Sequence, residues 1–477
     1  MVASPSFLWH DYETFGADPR SDRPAEFACW RTDAQLEPIE EPQSFRCQPT
    51  LDYLPDPGAC QITRIGPESA FAEGLPEHEF AGRIQEILVE PGSCGVGYNS
   101  LRFDDELTRH VFWRNFIDPY EREWTNGNCR FDLIDLARAA YALRPEGIEW
   151  PLHSAGKPSF KLTDMSRANG LPHRHAHAAL SDVEATIALA RLLRHHQPRL
   201  FNYALGLRQK TRAMELLDWR TRRPMLHVSQ RFPAERGCIA LVVPLAAHPS
   251  QANKVIVADA HPDPEALLSW DPERIAEAVV TPANHPGRVS VGLKVVHANR
   301  FPFIAPLSAL TDANARRIGF DRERTQAHAR SLIDAADLDQ KVQRVFALLE
   351  QGQPRVQDPE LALYAGFVAN DERARMQRFR RAAPEDLEKF AAEFSDPRVR
   401  TLAVRYRARH YPEHLNPAER VRWLAHCRQR LTEGARTLES VRASVKDMPV
   451  SDHELAKEIS AWCNRVAMHA GLEHGTD

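Results

Sequence analysis

Hydrophobic and polar residues follow two different spacings in the N-terminal part of the chain. Alternating or continuous apolar runs predict strands, whereas apolar residues three and four positions apart predict helices. Three strands come first, and helices and strands then interleave, which favours an α/β architecture with a mixed sheet and helices on its faces. The predicted strands are 6–12, 26–32, 43–48 and 94–98, and the predicted helices are 77–89, 104–116, 132–142 and 180–195.

After about residue 200 the pattern changes twice. The β-branched runs at 237–244, 255–259 and 289–297 are separated by turns rich in Pro, Asn and Gly, which predicts a β-rich domain. Beyond residue 354 the pattern is helical and dense in arginine. A length of 477 residues also exceeds what one hydrophobic core usually supports. We therefore predict three domains, at residues 1–198, 199–352 and 353–477.

The composition restricts the class of protein. Apolar residues make up 43% of the chain and charged residues 26%. The sequence contains neither an apolar run long enough to span a bilayer nor a signal-peptide pattern. We therefore expect a cytoplasmic protein without a membrane segment. The eight cysteines occur singly, which fits packed thiols in a reduced compartment. A net charge of −4 argues against coating nucleic acid by bulk electrostatics, so DNA binding would need a local basic surface.

The first candidate site is Asp11-Tyr12-Glu13, at the end of the first predicted strand. Side chains alternate between faces along a strand, so the two carboxylates project to the same side. Adjacent carboxylates repel one another unless a cation lies between them, and a hard divalent ion is their natural partner. An exposed polar strand edge or turn is the ordinary alternative for an isolated pair of this kind.

Two further segments carry acids at predicted helix starts. Asp104 follows a short strand, and Asp182 begins a helix five residues after His177. Taken separately, such acids are usually helix caps, and a loop histidine is usually only a loop residue. His173 and His175 complete a His-x-His-x-His run with His177, but an irregular loop gives a transition metal no fixed geometry.

Together the three segments resemble a known pattern. Asp11-x-Glu13, Asn99-x-x-x-Phe103-Asp104 and His177-x-x-x-x-Asp182 are similar to the histidine subclass of DEDD exonucleases, built on a ribonuclease-H-like sheet. The longer blocks 7–16, 97–106, 141–147 and 405–409 resemble the bacterial exonuclease I family, over essentially the whole chain. The resemblance implies a ribonuclease-H-like exonuclease domain, an SH3-like β-barrel domain and an α-helical C-terminal domain.

The resemblance also implies a reaction. Asp11, Glu13 and Asp182 would hold two Mg²⁺ ions about 4 Å apart, with Mn²⁺ able to substitute, and Asp104 would complete the site. His177 would act as general base on the attacking water. The expected activity is 3′→5′ removal of 5′-mononucleotides from single-stranded DNA, with a role in DNA repair and recombination.

The family pattern suggests substrate contacts around that centre. Glu13 would contact the substrate as well as metal, and Arg109 would reach a phosphate unless it is only an exposed helix charge. Tyr120 and Trp124 would stack on unpaired bases, or would form a hydrophobic staple beneath a loop. Lys161 stands where the family more often carries arginine, which keeps the charge but not a bidentate grip.

Partners follow from the same resemblance. The second and third domains would close a basic channel over the nuclease, which would select single strands and keep them bound. Family members also bind the acidic C-terminal tail of the single-stranded-DNA-binding protein, and Arg144 and Tyr203 are the candidate contacts here. Residues 307–311, where further basic residues would be expected, contain none. We expect a monomer.

Three rival functions use the same residues. An RNA 3′ exonuclease would share the five catalytic residues, because the contact to the 2′-hydroxyl that separates RNA from DNA is not visible in a sequence. The two additional domains argue against it, since oligoribonucleases are small. A catalytically silent single-strand-binding scaffold would retain the fold, although all five positions carry competent side chains. Proofreading within a polymerase is the third rival, but no tethering segment is obvious.

Overall fold

The computed structural model describes residues 6–153, 156–173, 177–282, 284–352 and 358–472. Its strands are β1 (Ser6–Thr14), β2 (Pro24–Thr32), β3 (Gln43–Arg46), β4 (Ser93–Gly97), β5 (Cys129–Asp132), β6 (Met225–Val228), β7 (Ile239–Ala247), β8 (Lys254–Asp259), β9 (Leu293–His297) and β10 (Ile304–Pro306). Its helices are α1 (Pro57–Thr63), α2 (Pro67–Glu73), α3 (Glu77–Leu88), α4 (Asp104–Arg114), α5 (Leu133–Leu143), α6 (Leu162–Ala168), α7 (Ala179–His196), α8 (Pro198–Gly206), α9 (Lys210–Leu216), α10 (Glu265–Ser269), α11 (Pro272–Val280), α12 (Asp312–Arg317), α13 (Arg322–Asp334), α14 (Leu338–Gln351), α15 (Asn370–Arg381), α16 (Leu387–Ala392), α17 (Pro397–His410), α18 (Pro417–Thr432), α19 (Leu438–Lys446) and α20 (His453–His469).

The chain divides into two compact units that do not follow the order of the sequence. The first unit combines Met1–Cys129, Arg174–Glu184 and Arg355–Asp477. The second unit combines Arg130–His173 and Ala185–Pro354. The two ends of the chain therefore fold together in the first unit.

The sheet strands of the first unit lie in the order β3-β2-β1-β4. β1 is almost entirely buried, as expected for a strand with neighbours on both sides, and it pairs antiparallel with β2 and parallel with β4. Tyr12 of β1 packs in a core with Phe27, Phe45 and Phe80, below α3 and α4. This core fixes the orientation of β1, because a shift of one residue would turn every side chain to the other face.

The C-terminal helices of the first unit share a core with its N-terminal segments. Trp423 and Trp462 are buried against Phe15 and Tyr53, and the indole nitrogen of Trp462 donates to the carbonyl of Tyr53 at 2.9 Å. The start of α18 is fixed by a capping box, in which the side chain of Asn416 and that of the third helical residue exchange hydrogen bonds with each other's backbone. These helices are thus an integral part of the unit that contains β1.

A buried ionic cluster, which we call the Arg409 cluster, also joins the C-terminal helices of the first unit to its N-terminal segments. It consists of Asp52, Glu360, Arg405, Arg409 and His426. Arg409 binds both oxygens of Asp52, at 3.0 and 2.7 Å, and also donates to Glu360. Arg405 donates to Glu360 at 3.0 Å. The carboxylates are buried, so these guanidinium contacts are what makes their charge tolerable in the interior.

The second unit contains an antiparallel sheet in the order β10-β6-β7-β8-β9. β7 and β8 carry continuous buried runs, which fits central strands covered on both faces. Helices α11 and α14 contact one another, and α13 and α14 contact β7. This is the β-rich part of the chain that the sequence predicts, with several helices added to it.

Most predicted elements of the N-terminal part of the chain are confirmed to within a few residues, and two differences are instructive. The helix predicted at 104–116 ends at Arg114, because Phe116 adopts a positive φ of 60°. In the β-rich part, the strand predicted at 289–297 begins only at Leu293, because Gly292 has a φ of 67° and lies against the backbone of Asp259. The prediction lacks β5, β6 and β10, which are only three or four residues long.

No helix among the described residues is both long enough and apolar enough to cross a membrane.

Candidate active site

The two carboxylates of β1 project from the face opposite to the aromatic core. Tyr12 lies between them in sequence, and its ring is 4.8 Å from that of Phe27 while its hydroxyl is 2.9 Å from that of Thr108. Because side chains alternate along a strand, this anchoring of Tyr12 aims Asp11 and Glu13 to the other side.

Asp104 is held beside β1 by the backbone. The amide of Tyr12 donates to Oδ1 of Asp104 at 3.2 Å, and Asp104 is the first residue of α4. The next residue, Asp105, forms an ion pair of 2.6 Å with Arg122, and both side chains are almost completely buried. The start of α4 is therefore fixed in position before any ligand arrives.

Asp182 approaches the same place from the first turn of α7. One carboxylate oxygen each of Asp11, Glu13 and Asp182 lies within 4.8 Å of the others. The amide of Asp182 donates to the carbonyl of Ala178 at 3.1 Å, which closes the first turn of the helix. Three predicted metal ligands from two widely separated parts of the sequence thus converge on one centre.

The electrostatics of this centre fit a bound cation. Burial, and then the neighbouring carboxylates of Asp104 and Asp182, raise the pKa of Asp11 well above its ordinary value. Burial, followed by Asp182 and Glu26, raises the pKa of Glu13 to about 8. Such carboxylates must hold either protons or a positive ion, and oxygen ligands at this spacing suit a hard divalent cation.

Glu26 is an acid near this centre that sequence reasoning missed. It lies directly opposite Glu13 in the antiparallel register of β1 and β2, and its Oε1 accepts from the hydroxyl of Ser44 at 2.6 Å. Like charges directly across two strands destabilise a sheet, so the pair Glu13 and Glu26 adds to the demand for a cation. Only the strand register, which the sequence does not specify, could have revealed Glu26.

His177 lies in the turn that leads into α7. It is exposed and has a φ of 66°, an uncommon conformation for a residue other than glycine. Such outliers concentrate at functional sites. Of its two neighbours in the histidine run, His173 is described and half-buried, whereas His175 lies outside the described residues.

Arg109 is buried and committed to protein groups. Its Nε and Nη2 bind the carboxylate of Glu123 at 2.7 and 2.9 Å, and its Nη1 binds Glu106 at 2.6 Å and the hydroxyl of Tyr364 at 3.2 Å. The guanidinium also lies 5.5 Å from the ring centroid of Tyr120. The predicted phosphate contact of Arg109 would therefore require an exchange of partners.

The two predicted stacking residues have different surroundings. Tyr120 is half-buried and packs against the core that contains Trp113 and Phe116. Trp124 is 69% exposed. Of the two rings, that of Trp124 is the more accessible to a base.

The remaining predicted contacts lie in the second unit. Lys161 is exposed at the N-cap of α6. Arg144 donates to the carbonyl of Ala309 at 2.9 Å, and the hydroxyl of Tyr203 donates to the carbonyl of Ile304 at 2.7 Å. Both candidate partner residues therefore hold the segment around β10.

A cavity of about 530 Å³ opens on the same segment. Pro306, Leu307 and Ser308 line one side of it, and the exposed arginines Arg223 and Arg330 line it from other elements. Residues 307–311 include no basic residue. The basic side chains that line the cavity come instead from Arg223, in the turn that precedes β6, and from Arg330 of α13.

A second group of ligand-type side chains lies in the Arg409 cluster. Ligand atoms of Asp52, Glu360 and His426 lie within 4.8 Å of one another. Burial, and then Arg405, lower the pKa of His426 to about 4. Because Arg409 already donates to both carboxylates, a metal ion there would face guanidinium groups, and we assign this group a structural role.

Comparison with known families gives a match along nearly the whole chain. The family described as Exonuclease matches residues 8–190, the Exonuclease I SH3-like domain matches 208–348, and the Exonuclease I C-terminal domain matches 357–464. Exodeoxyribonuclease I of Escherichia coli K12 is 43% identical over 428 residues, which is 90% of this chain and 90% of that protein.

Solved structures give the same result. Exonuclease I from Methylocaldum szegediense superposes with a TM-score of 0.91 at 43% identity, covering 97% of this chain and 99% of that one. E. coli exonuclease I in complex with a dA16 oligonucleotide has a TM-score of 0.91 at 40% identity, with 98% and 99% covered.

Two other exonuclease I structures each cover 98% of this chain and 99% of the matched chain, and the first of them is from E. coli. One is a zinc-bound complex of exonuclease I with single-stranded DNA, with a TM-score of 0.89 at 40% identity. The other is described as SSB/exonuclease I in complex with an inhibitor, with a TM-score of 0.87 at 39% identity.

Proposed function

The chain belongs to the exonuclease I family, and from this we propose that it is a 3′→5′ exodeoxyribonuclease that releases 5′-mononucleotides from single-stranded DNA. The observation that carries the proposal is the convergence of Asp11, Glu13 and Asp182 within 4.8 Å, in the region that matches the Exonuclease family. The E. coli relative that was crystallised with dA16 supports single-stranded DNA as the substrate.

We propose Mg²⁺ as the cofactor, with Mn²⁺ able to substitute. Asp11, Glu13 and Asp182 would hold it, and Asp104 would complete the site. When bound, two such ions supply Lewis acidity, which favours ionisation of the attacking water and stabilises the leaving 3′ oxygen. Carboxylate oxygens suit Mg²⁺, and the zinc-bound E. coli relative supports a divalent ion in general.

The residues of the chain contribute position and proton transfer. The Tyr12 amide restrains Asp104, so that this carboxylate keeps its place beside β1. His177 takes the proton of the attacking water, a role that an imidazole side chain commonly fills in enzymes. Its exposed turn gives it access to solvent and substrate. The proposed substrate contacts remain Glu13, Arg109, Tyr120, Trp124 and Lys161.

The decisive experiment compares substrates in one assay. A 5′-labelled single-stranded DNA, its RNA counterpart and a blunt duplex are digested with Mg²⁺ or with EDTA. We expect a Mg²⁺-dependent ladder that shortens only the single-stranded DNA from its 3′ end. Equal digestion of RNA would overturn the DNA specificity, and retention of single strands without cleavage would favour a binding scaffold.

Replacing His177 with alanine should lower kcat by about 10²- to 10³-fold, because a positioned general base contributes a factor of this size. Binding of single-stranded DNA in EDTA should be unchanged, since the imidazole acts on water. The matched control is His173→Ala, which removes a neighbouring histidine of the same loop and should retain activity. Equal losses in the two variants would contradict a specific role for His177.

We propose that the cavity beside β10 takes the acidic C-terminal tail of the single-stranded-DNA-binding protein. Support comes from the exposed arginines Arg223 and Arg330, from the segment held by Arg144 and Tyr203, and from the solved structure described as SSB/exonuclease I. A fluorescent tail peptide should bind with an affinity that falls as salt rises, and Arg330→Ala should weaken it about tenfold, the loss of one charge-assisted contact of roughly 1.4 kcal/mol. Unchanged binding to the variant would remove the cavity from consideration.

The domain boundaries, the monomeric state, the cytoplasmic location and the role in repair and recombination stay predictions.

A further inference from the structure

The pairing of β1 with β2 is irregular directly after Glu13. Glu13 lies opposite Glu26. The next residue, Thr14, lies opposite Pro24, which leaves Ala25 as an additional residue on β2. An additional residue of this kind is a β-bulge, which twists the sheet locally and changes the direction of nearby side chains. The direction of the Glu13 carboxylate toward the candidate metal centre therefore depends on how the bulge is held.

The loop that joins β1 to β2 closes on the bulge. It comprises residues 15–23, and we call it the bulge loop. The amide of Phe15 donates to the carbonyl of Arg23 at 2.9 Å, and the hydroxyl of Thr14 donates to the carbonyl of Gly16 at 2.7 Å. Because both ends of the bulge loop adjoin the bulge, a change in the loop is transmitted to the end of β1.

The carboxylate of Asp22 lies at the centre of the bulge loop. It is 4% exposed, and its Oδ2 accepts from the amide of Asp18 at 2.9 Å. Its Oδ1 lies 2.7 Å from the hydroxyl of Tyr53 and accepts from Arg436 at 2.6 Å. A Cβ atom on Gly16 would lie 2.2 Å from Oδ2 of Asp22, so the close approach of the two residues requires glycine. The carboxylate thus connects the two arms of the loop.

Two side chains from outside the bulge loop fix this carboxylate. The hydroxyl of Tyr53 also lies 3.0 Å from the carbonyl of Phe15. Burial, and then the carboxylate of Asp22, raise the pKa of Tyr53 well above its ordinary value, so the hydroxyl keeps its proton. Arg436, between α18 and α19, donates as well to the carbonyl of Leu54 at 3.1 Å. The C-terminal part of the chain therefore reaches the bulge loop through Arg436.

We propose that Asp22 is a positioning residue of the candidate metal centre, which holds the bulge loop and, through the bulge, the direction of the Glu13 carboxylate. This inference rests on the proposed function. Asp22 acts through the backbone of the loop and not as a metal ligand. Replacing groups that orient metal ligands in this indirect way typically weakens metal binding by about 10- to 100-fold.

The test measures binding of Mn²⁺ to the full chain without DNA, from the electron paramagnetic resonance signal of the free ion. Asp22→Asn should weaken Mn²⁺ binding about tenfold. The reason is that asparagine has one side-chain oxygen, which cannot accept from both Asp18 and Arg436. In digestion of a single-stranded oligonucleotide, the Mg²⁺ concentration for half-maximal activity should rise about tenfold, and saturating Mg²⁺ should restore most of kcat.

Two further variants change the same geometry in other ways. Gly16→Ala should also weaken Mn²⁺ binding, because its Cβ displaces the Asp22 carboxylate without removing a charge. Tyr53→Phe removes one hydroxyl and should shift the Mn²⁺ affinity in the same direction by a smaller factor. As the mildest of the three changes, Tyr53→Phe keeps the test decisive if Asp22→Asn fails to fold.

The matched control is Asp452→Asn. Asp452 is another aspartate of the first unit with a side chain only 4% exposed, and it binds Arg64 at 2.5 Å and Gln61 at 2.7 Å. These residues lie on segments that carry no candidate metal ligand, so the control should leave Mn²⁺ binding unchanged. Unfolding in EDTA, measured for both variants, separates a loss of general stability from a loss of metal affinity.

The inference is overturned if Asp22→Asn and Tyr53→Phe bind Mn²⁺ as tightly as the wild type, or if Asp452→Asn weakens binding equally. A wild type that binds no Mn²⁺ would overturn the inference together with the proposed cofactor. A wild type that binds Mn²⁺ but digests no single strands would contradict the proposed activity alone, so the two failures are distinguishable.

Discussion

Replacing Asp182 with asparagine should lower the rate of single-strand hydrolysis by about 10⁴-fold. The substitution keeps the size of the side chain but removes one of three charged oxygen ligands that lie within 4.8 Å. Weaker divalent-ion binding would remove several kcal/mol of transition-state stabilisation, and a loss of about 1.4 kcal/mol lowers the rate tenfold. The measurement is single-turnover digestion of a labelled oligonucleotide at saturating Mg²⁺.

The matched control is Glu184→Gln, which neutralises an exposed acid on the same helix and should retain full activity. The Asp182→Asn variant should remain folded in EDTA and be no less stable there than the wild type. The reason is that Asp182 helps to raise the pKa of both Asp11 and Glu13, so its removal relieves repulsion in the metal-free protein. Activity within tenfold of the wild type would exclude Asp182 as a metal ligand.

The second large effect concerns stability. Replacing Arg409 with methionine should lower the free energy of unfolding by about 3 to 5 kcal/mol, the usual result of leaving a buried charge without its partner. Asp52 is 0% exposed and the two hydrogen bonds described for its carboxylate both come from Arg409, so water cannot take the place of the guanidinium. Denaturant unfolding followed by tryptophan fluorescence reports on this region, because the ring of Trp423 lies 5.5 Å from the guanidinium of Arg409. The control is Arg422→Met, an exposed arginine on α18.

The effect of Arg409→Met should depend on pH in a defined direction. Burial alone would raise the pKa of Asp52, but Arg409 and Arg430 overcome it and hold that pKa well below its ordinary value. A depressed carboxyl pKa contributes stability above the ordinary pKa of about 4 and loses it as pH falls through the folded value. The difference between wild type and variant should therefore be constant near neutrality and shrink in acid. A difference that grew below pH 4 would contradict this account.

The sequence predicted the centre of the site better than its surroundings. Asp11, Glu13 and Asp182 could be predicted because strand alternation and helix starts are local properties, and the family resemblance joined them. Glu26 could not be predicted, because only the pairing register of β1 with β2 places it opposite Glu13. Tyr364 could not be predicted either, because its hydrogen bond to Glu106 joins residues 258 positions apart.

The same limit applies to the fold. Long periodic segments such as α3 and α7 were predicted nearly to the residue, because an amphipathic pattern suffices to identify them. The sequence pattern does not reveal that segments from opposite ends of the sequence fold together, because this depends on contacts such as that of Arg409 with Asp52 and of Trp462 with Tyr53.

That union of the two chain ends has a consequence during synthesis. The acidic residues of β1 leave the ribosome well before Glu360, Arg409 and Trp462, which support the unit around them. A nascent chain that ends before Glu360, or one shortened there by a premature stop codon, therefore lacks the guanidinium groups that hold the buried charge of Asp52. We expect such an incomplete copy to be less stable than the chain of 477 residues and to be degraded more readily.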